Sequence, residues 1–428
     1  MKVVGLITEY NPFHNGHQYH IEKARKVTGA DTVIVIMSGD YVQRGTPAIM
    51  PKHLRAQMAL RCGASAVFEL PVCYSTGSAE LFALGAVSFL DQLKIVDSIC
   101  FGTECGDIQQ LDKIADFLCE EPEEYRSILR ACLKLGLSFP AAREKALAET
   151  LHDPSLAKLL SNPNNILGIE YLKALKRLHS TITPFAITRK ESDYHDTSLS
   201  ANYSSATAIR SLLAYSSSAI STDTYGDTFE NFRFSDVLSE LEDQVPRECL
   251  ELLKDYHQVS YPVYQNDFSL IMKYKLLNKT PEALSRYMDV SDDLANRICR
   301  QLNNYFNYRQ FCELIKTKDL TQVRVNRSLL HIMLGIKKSN VSQYISGGLH
   351  YYAHLLGVRK DKDKLLGLIS KHSHLPLVTN LYKTDNLHEI GRQMLYQDIL
   401  ASNLYTSVVT DKFKTAFRNE YHQPVIKV

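Results

Sequence analysis

An α/β fold with a buried parallel sheet, continued by a mostly α-helical second half, is the class this sequence predicts. Strand-length apolar runs alternate with helical patterns through the first 210 or so residues. Those runs are apolar throughout instead of alternating, as strands covered by helices on both faces require. Beyond about residue 231 the periodicity is helical. In order, residues 2–8 form a β-rich run, Asn11-Pro12-Phe13-His14-Asn15-Gly16 breaks it, and His17 to Lys26 reads as a helix. Asp31 to Met37 is the second strand, and the loop Ser38-Gly39-Asp40 follows it. Pro51 starts a helix reaching about Cys62, Ser65 to Leu70 is the third strand, Ser78 to Leu93 a helix, and Asp97 to Gly102 the fourth strand. From Gln109 to about Leu160 a helical insertion precedes the return of the sheet at Thr183 to Ile187. Ala214 to Asn231, rich in Ser, Thr, Asp and Gly, is expected to be a linker or mobile loop. The expected organisation is thus a sheet domain over 1–213, the linker at 214–231 and a helical domain over 232–428. No fixed-period repeat favours a solenoid.

A chain of 428 residues is long enough for two or three cores. With 45% hydrophobic and 22% charged residues it has the balance of a globular protein. No apolar run approaches the roughly 18 residues of a membrane span, and the start lacks the pattern of a secretory signal. The nine cysteines are scattered without CxxC pairs, which argues against a zinc ribbon or a disulfide framework. A reducing cytoplasm is the expected location. The net charge is only +2, so any contact with a polyanion must come from local patches.

Ligands of such sheets bind outside the carboxyl ends of the strands. His14-Asn15-Gly16-His17 lies there, opening a helix. Two imidazoles beside free backbone N–H groups at a helix N-terminus suit polyphosphate oxygens, and Gly16 lets those oxygens approach the backbone. Attack on the α-phosphate of ATP builds negative charge that donors already aimed there stabilise. The plainer alternative is a histidine pair satisfied by capping or packing. In Tyr203-Ser204-Ser205-Ala206-Thr207-Ala208-Ile209-Arg210, hydroxyls precede an arginine by about one turn. Ser205 and Thr207 are placed to donate to β- and γ-phosphates, and Arg210 to supply fixed positive charge. After the second strand, Asp40 is suited to orient a nucleophile, hold Mg2+ or accept a proton from an attacking amine, and Arg44 to hold a carboxylate or phosphate. Gly102, the pair Asn164 and Asn165, and Arg189-Lys190 occupy strand ends or a helix start. No GxxxxGK, GxGxxG, HExxH or GxSxG is present. His372 and His374 lack companions for a metal, so no metal centre is expected.

Together, TEYNPFHNGHxxH (from Thr8), SGDYVQRG (from Ser38), FGTE (from Phe101), PNNILGIEYLKAL (from Pro163) and SSATAIR (from Ser204) resemble the bacterial tRNA(Met) cytidine acetate ligase family. HxGH with the downstream serine, threonine and arginine resembles the wider nucleotidyltransferase superfamily; the other blocks select the family within it. The resemblance implies a Rossmann-like nucleotidyltransferase domain in which acetate attacks ATP to give acetyl-adenylate. The N4 amine of the wobble cytidine of elongator tRNA(Met) then takes the acetyl group. It further implies that ATP is lined by Ile7, Thr8, Glu9, Tyr10, Asn11, Pro12, Phe13, His14, Asn15, Gly16, His17, Gln18, Tyr19 and His20. Gly102, Asn165 and Arg189 would add nucleotide contacts, with the choice between Asn164 and Asn165 open. His14 and His17 are the catalytic candidates, Asp40 is the candidate for work on the cytidine amine, and Mg2+ is the expected companion of ATP.

Between Arg300 and Leu375, thirteen lysines and arginines face four acids. Such an excess in a near-neutral chain suits a phosphate backbone, and Arg324, Arg327, Lys337, Lys338, Arg359 and Lys360 are the expected tRNA contacts. Tyr305, Phe306 and Tyr308 are placed to stack on an unpaired base. The rival reading is a nucleotidyltransferase that acts on a phosphomonoester metabolite in cofactor synthesis, which needs no long basic region. An RNA-binding protein with a vestigial nucleotide site is a third, opposed by the intact His14, His17 and Arg210. No oligomeric state follows from the sequence.

Overall fold

The protein, a computed structural model, is described over residues 1–189, 205–215 and 234–428. Strands β1 (Val3–Thr8), β2 (Thr32–Ser38), β3 (Ala66–Leu70), β4 (Ser98–Thr103) and β5 (Thr183–Thr188) lie in the order β3-β2-β1-β4-β5. All four pairings are parallel, with Val3 opposite Thr32, Ile34 opposite Ala66, Val4 opposite Ser98 and Ser98 opposite Thr183. Parallel neighbours need a crossover, which helices Asn15–Thr28, Lys52–Arg61 and Ala79–Gln92 and the insertion supply.

Successive residues of one strand enter opposite cores, because side chains alternate across a sheet. Val3, Ile34 and Ile36 pack with helices Ala79–Gln92 and Pro163–Arg177. Val4, Val33 and Val35 pack with helices Asn15–Thr28 and Lys52–Arg61. All six are completely buried, each contributing about 1.5–3 kcal/mol of hydrophobic stabilisation. This is why the strands read as continuous apolar runs. The insertion is helical as expected, with Ile108–Glu120, Glu123–Lys134 and Phe139–Leu151 its main helices.

The second half is mostly helical but also returns to the sheet. Strand β6 (Ala353–Val358) runs antiparallel to β3, with a bulge at Val67/Phe68; β7 (Leu377–Val378) and β8 (Ile426–Lys427) each pair parallel to β6. Without β6, β3 would be an edge with an unpaired row of backbone donors and acceptors. The division at residues 213 and 232 therefore does not follow the sheet, which crosses it. Of the expected linker, Ala214 and Tyr215 end helix Ala206–Tyr215, while 216–231 lie outside the described residues. No helix among the described residues is long and apolar enough to cross a membrane.

A buried charge cluster ties the two halves together. Lys52 Nζ donates to both Glu69 oxygens (2.8 and 2.7 Å) and to Ser402 Oγ (2.7 Å), and lies 2.9 Å from Glu420. His354 Nδ1 is 2.8 Å from Glu69. Burial alone would neutralise Lys52, but Glu420 and Glu69 overcome it and raise its pKa above the usual lysine value. Glu69, His354 and Glu420 have the donor spacing of a metal site; the Lys52 ammonium already supplies the positive charge there. Lys52→Met should cost about 3–5 kcal/mol, since it strands two carboxylates in a dry interior. Urea unfolding checks this: a loss below about 1 kcal/mol would mean that water reaches the cluster.

Candidate active site

β1 is paired on one side with β2 and on the other with β4, so the chain winds away from it in both directions and leaves a crevice at its carboxyl end. A cavity of about 240 Å3 occupies that place. Its walls come from Ile7 and Thr8 at the end of β1, Glu9, Tyr10 and Asn11 after it, His14, Gly16, His17, Tyr19 and His20 at the next helix, and Phe101 and Gly102 on β4. Ile187 and Thr188 at the end of β5, Arg189 after it, Ser205 before the helix beyond, and Ala206, Thr207 and Arg210 on that helix close the far side.

The two histidines cap their own helix reciprocally. His14 Nδ1 accepts from Gly16 N (3.1 Å), and His17 Nδ1 accepts from His14 N (3.2 Å). The rings lie 3.7 Å apart between centroids. A ring nitrogen that accepts an N–H carries no proton, so the proton of each neutral ring is on Nε2. Both histidines therefore retain one outward N–H donor. Burial, then Arg189 and Arg210, pushes His14 down to about 3; burial, then His14 and Arg189, drives His17 well below the ordinary value. His20 is bonded through Nε2 to the Cys100 carbonyl at 3.1 Å. Burial holds it at about 4 against that bond.

The free helix N–H groups expected here are already in use. Asn15 N donates to Gln244 O (3.0 Å), Gly16 N to His14 Nδ1, and His17 N to His14 O (2.8 Å). The imidazole Nε2–H groups and the arginine side chains are what the cavity wall presents in their place. Gly16 also preserves the cap, since a Cβ there would lie 2.9 Å from the His14 ring and displace it. Arg210 donates from Nη1 to Asn11 O (2.7 Å) and from Nη2 to Thr207 Oγ1 (3.0 Å), while Ser205 Oγ caps its helix by accepting from Ala208 N (3.1 Å). These bonds hold the Arg210 fork against the β1 loop. Tyr203 and Ser204 of the same motif, and Lys190, lie outside the described residues.

Several expected contacts stand behind the wall. Pro12, Phe13, Asn15 and Gln18 do not line the cavity. Phe13 packs on Tyr10 and His17 (ring centroids 4.7 and 5.5 Å), and Asn15 Nδ2 donates to Asp243 O (2.7 Å). Of the two asparagines, Asn164 lines the cavity, near Arg189 at 3.4 Å. Asn165 is fully buried, and its Oδ1 accepts from Glu104 N (3.0 Å) and Cys105 N (3.2 Å), which shapes the β4 loop. Asp40 also lies off the cavity: it is buried, its Oδ1 accepts from Lys52 N (2.7 Å), and burial raises its pKa. A carboxylate turned to a helix start beside Lys52 is a structural support, so the role expected of it on an amine loses its geometry. Sequence reasoning missed Gln43, Thr46, Phe82, Leu167 and Tyr171, all on the wall. Leu167 and Tyr171 follow Asn164 at helical spacings of three and seven, a signal that was present in the sequence.

The six basic candidates do not form one surface. Helix Gln322–Leu334 brings Arg324 and Arg327 beside the hairpin Tyr41–Val42/Thr46–Pro47, where Gly45 packs on the Arg327 backbone. Arg327 Nε is committed to Asp289 (2.7 Å), and Lys338 Nζ to the carbonyls of Ser285 and Val290 (2.7 and 2.9 Å). Lys337 is exposed at the far end of that helix. Arg359 and Lys360 follow β6, and Arg359 N donates to Ser65 O at the start of β3, the end of the sheet away from the cavity. Arg359 forms a two-bond pair with Asp361 (2.9 Å each). The antiparallel entry of β6 is what sends them there. Of the aromatics, Tyr305 and Tyr308 are buried, and Phe306 is exposed.

Residues 1–420 match the family model of the HIGH Nucleotidyl Transferase. A tRNA(Met) cytidine acetate ligase of Acetivibrio thermocellus is 39% identical over the full length of both chains, and one of Caldanaerobacter subterraneus subsp. tengcongensis is 37% identical, again over both full lengths. Two crystal structures of Thermotoga maritima TmcAL, one apo and one bound with alpha-thio ATP, superpose with TM-scores of 0.89 and 0.87 at 31% identity, each covering both chains completely.

The buried imidazoles should stay neutral across the physiological range. In ring-nitrogen NMR, His14 and His20 are expected to show no protonation between about pH 8 and 5. Because the unfolded chain protonates near 6.5, both oppose folding increasingly as pH falls from 6.5 toward 3. A midpoint near 6.5 for either ring would refute the neutral donor arrangement.

Proposed function

We propose, from the premise that this chain belongs to the HIGH nucleotidyltransferase family and to the tRNA(Met) cytidine acetate ligases within it, a two-step acetyl transfer. Acetate is joined to the α-phosphate of ATP, and the acetyl group then passes to N4 of the wobble cytidine of elongator tRNA(Met). The observation that carries this reading is the pair of neutral histidines, each with Nδ1 tied to backbone and Nε2–H directed outward, beside Arg189 and Arg210 in one cavity.

In the first step a carboxylate oxygen of acetate bonds to the α-phosphorus, and the bond to the bridging oxygen breaks to release pyrophosphate. Charge grows on the phosphate oxygens, and the preorganised Nε2–H donors and the two guanidiniums stabilise that growth without a protein nucleophile. Neutral imidazoles suit this, because they donate while remaining uncharged in the resting site. In the second step N4 bonds to the acetyl carbon, AMP departs and the amine loses a proton. Mg2+ would be carried mainly by the triphosphate: Glu9 is the one carboxylate among the described wall residues, and one of its oxygens already accepts from Gln43 N at 2.9 Å. A tRNA substrate also supports the cytoplasmic setting expected from composition.

Incubation with ATP, Mg2+, isotopically labelled acetate and elongator tRNA(Met) should place the label on the wobble cytidine. His17→Ala should slow acetate-dependent exchange between ATP and pyrophosphate by about 100- to 1,000-fold. Pyrophosphate release that needs a phosphomonoester and ignores acetate would instead establish the rival nucleotidyltransferase reaction.

A further inference from the structure

Two segments distant in sequence meet on the side of the hairpin that forms part of the cavity wall. The tip of the insertion, between helices Glu123–Lys134 and Phe139–Leu151, reaches the loop before helix Gln322–Leu334: a Cβ on Gly136 would lie 4.0 Å from Asp319 Oδ1. That helix packs tightly on the hairpin, since a Cβ on Gly45 would collide with the Arg327 backbone nitrogen. The same hairpin presents Gln43, Arg44 and Thr46 to the cavity. On the other side Arg143 of the insertion donates to Glu170 at 2.7 Å, on the helix that carries the wall residues Asn164, Leu167 and Tyr171. Insertion tip, loop and hairpin are thus linked by contact to the walls of the nucleotide cavity.

Apolar, aromatic and basic side chains are exposed around this contact, with Asp319 the acid at its centre. Leu135 and Phe139 are 76% and 54% exposed, which is unexplained by any packing role. Lys134, Lys316 and Lys318 are exposed and form no ion pair among the described residues. Arg324 Nε is buried without a partner. An apolar and aromatic face set among lysines, linked through the hairpin to a site for a nucleotide, matches a single-stranded polynucleotide: phosphates meet the lysines, and an unpaired base lies on the ring.

We propose that the insertion tip and the 316–321 loop hold the nucleotides flanking the acceptor base, with Phe139 and Leu135 as the stacking face and Lys316 and Lys318 as phosphate contacts. This rests on the acetyl-transfer reading, because it assumes an RNA loop that delivers a base to the cavity. It also replaces the scattered basic set with residues the fold brings together.

The test uses the full chain and transcribed elongator tRNA(Met), with binding followed against salt and acetate-dependent ATP–pyrophosphate exchange measured separately without RNA. The double variant Leu135→Ser/Phe139→Ser should weaken tRNA binding by about tenfold and leave exchange within twofold of the parent. Lys316→Gln/Lys318→Gln should lower the slope of log affinity against log salt by about 1.5. Unchanged tRNA affinity and slope in both variants overturns the surface, as does a fall in the mass of the particle in solution with tRNA binding intact, which would identify it as a contact between copies. Parent protein that shows no acetate-dependent exchange would overturn the acetyl-transfer reading itself, an outcome separate from either.

Discussion

β1 pairs in parallel with β2 on one side and β4 on the other, so the crossover that leaves β1 and the crossover that leaves β4 run to opposite sides and open a crevice between their carboxyl ends. That constraint creates the crevice, and the loop after β1 must open a helix at its rim. His14, His17, Arg189 and Arg210 reach one another there from three separate parts of the chain. A sheet wound in one direction only would place the β5 residues on the opposite side of β1.

Within the crevice, one set of hydrogen bonds serves both folding and chemistry. The cap of helix Asn15–Thr28 consumes the Nδ1 atoms of both histidines and the first backbone N–H groups. What remains for a ligand is a pair of Nε2–H donors whose direction is set by the cap. Burial keeps the rings neutral, and Arg189 and Arg210 reinforce this while supplying the charge that the rings lack. The plainer reading of the motif, histidines satisfied by capping, is therefore true of one nitrogen of each ring and leaves the other outside the cap.

The second half stabilises the site from behind. Lys52 receives Glu69 from β3, Ser402 from helix Glu389–Phe413 and Glu420 from near the end of the chain. Asp40 belongs to this support through its bond to Lys52 N. Such a cluster costs desolvation and returns register, since its charges are satisfied only when β3, the long helix and the final segment are all in place. It makes the basic second half a structural partner of the sheet.

The order of β1 to β5, the helical insertion and most of the cavity wall were legible in the sequence because they depend on local properties. Apolar runs of strand length announce buried strands, and HxGH at a strand-to-helix junction announces its place at a carboxyl end. Asn164 and Asn165 share the same local setting, and helix phase alone turned one to the cavity and the other to the β4 loop. Tertiary structure decided the rest: that β6 pairs antiparallel with β3, that Asp40 faces Lys52, and that the six basic candidates part company. Backbone pairing and charge burial depend on three-dimensional proximity, across twelve residues for Asp40 and Lys52 and across hundreds for β3 and β6, and composition carries no record of which lysine will have a carboxylate beside it.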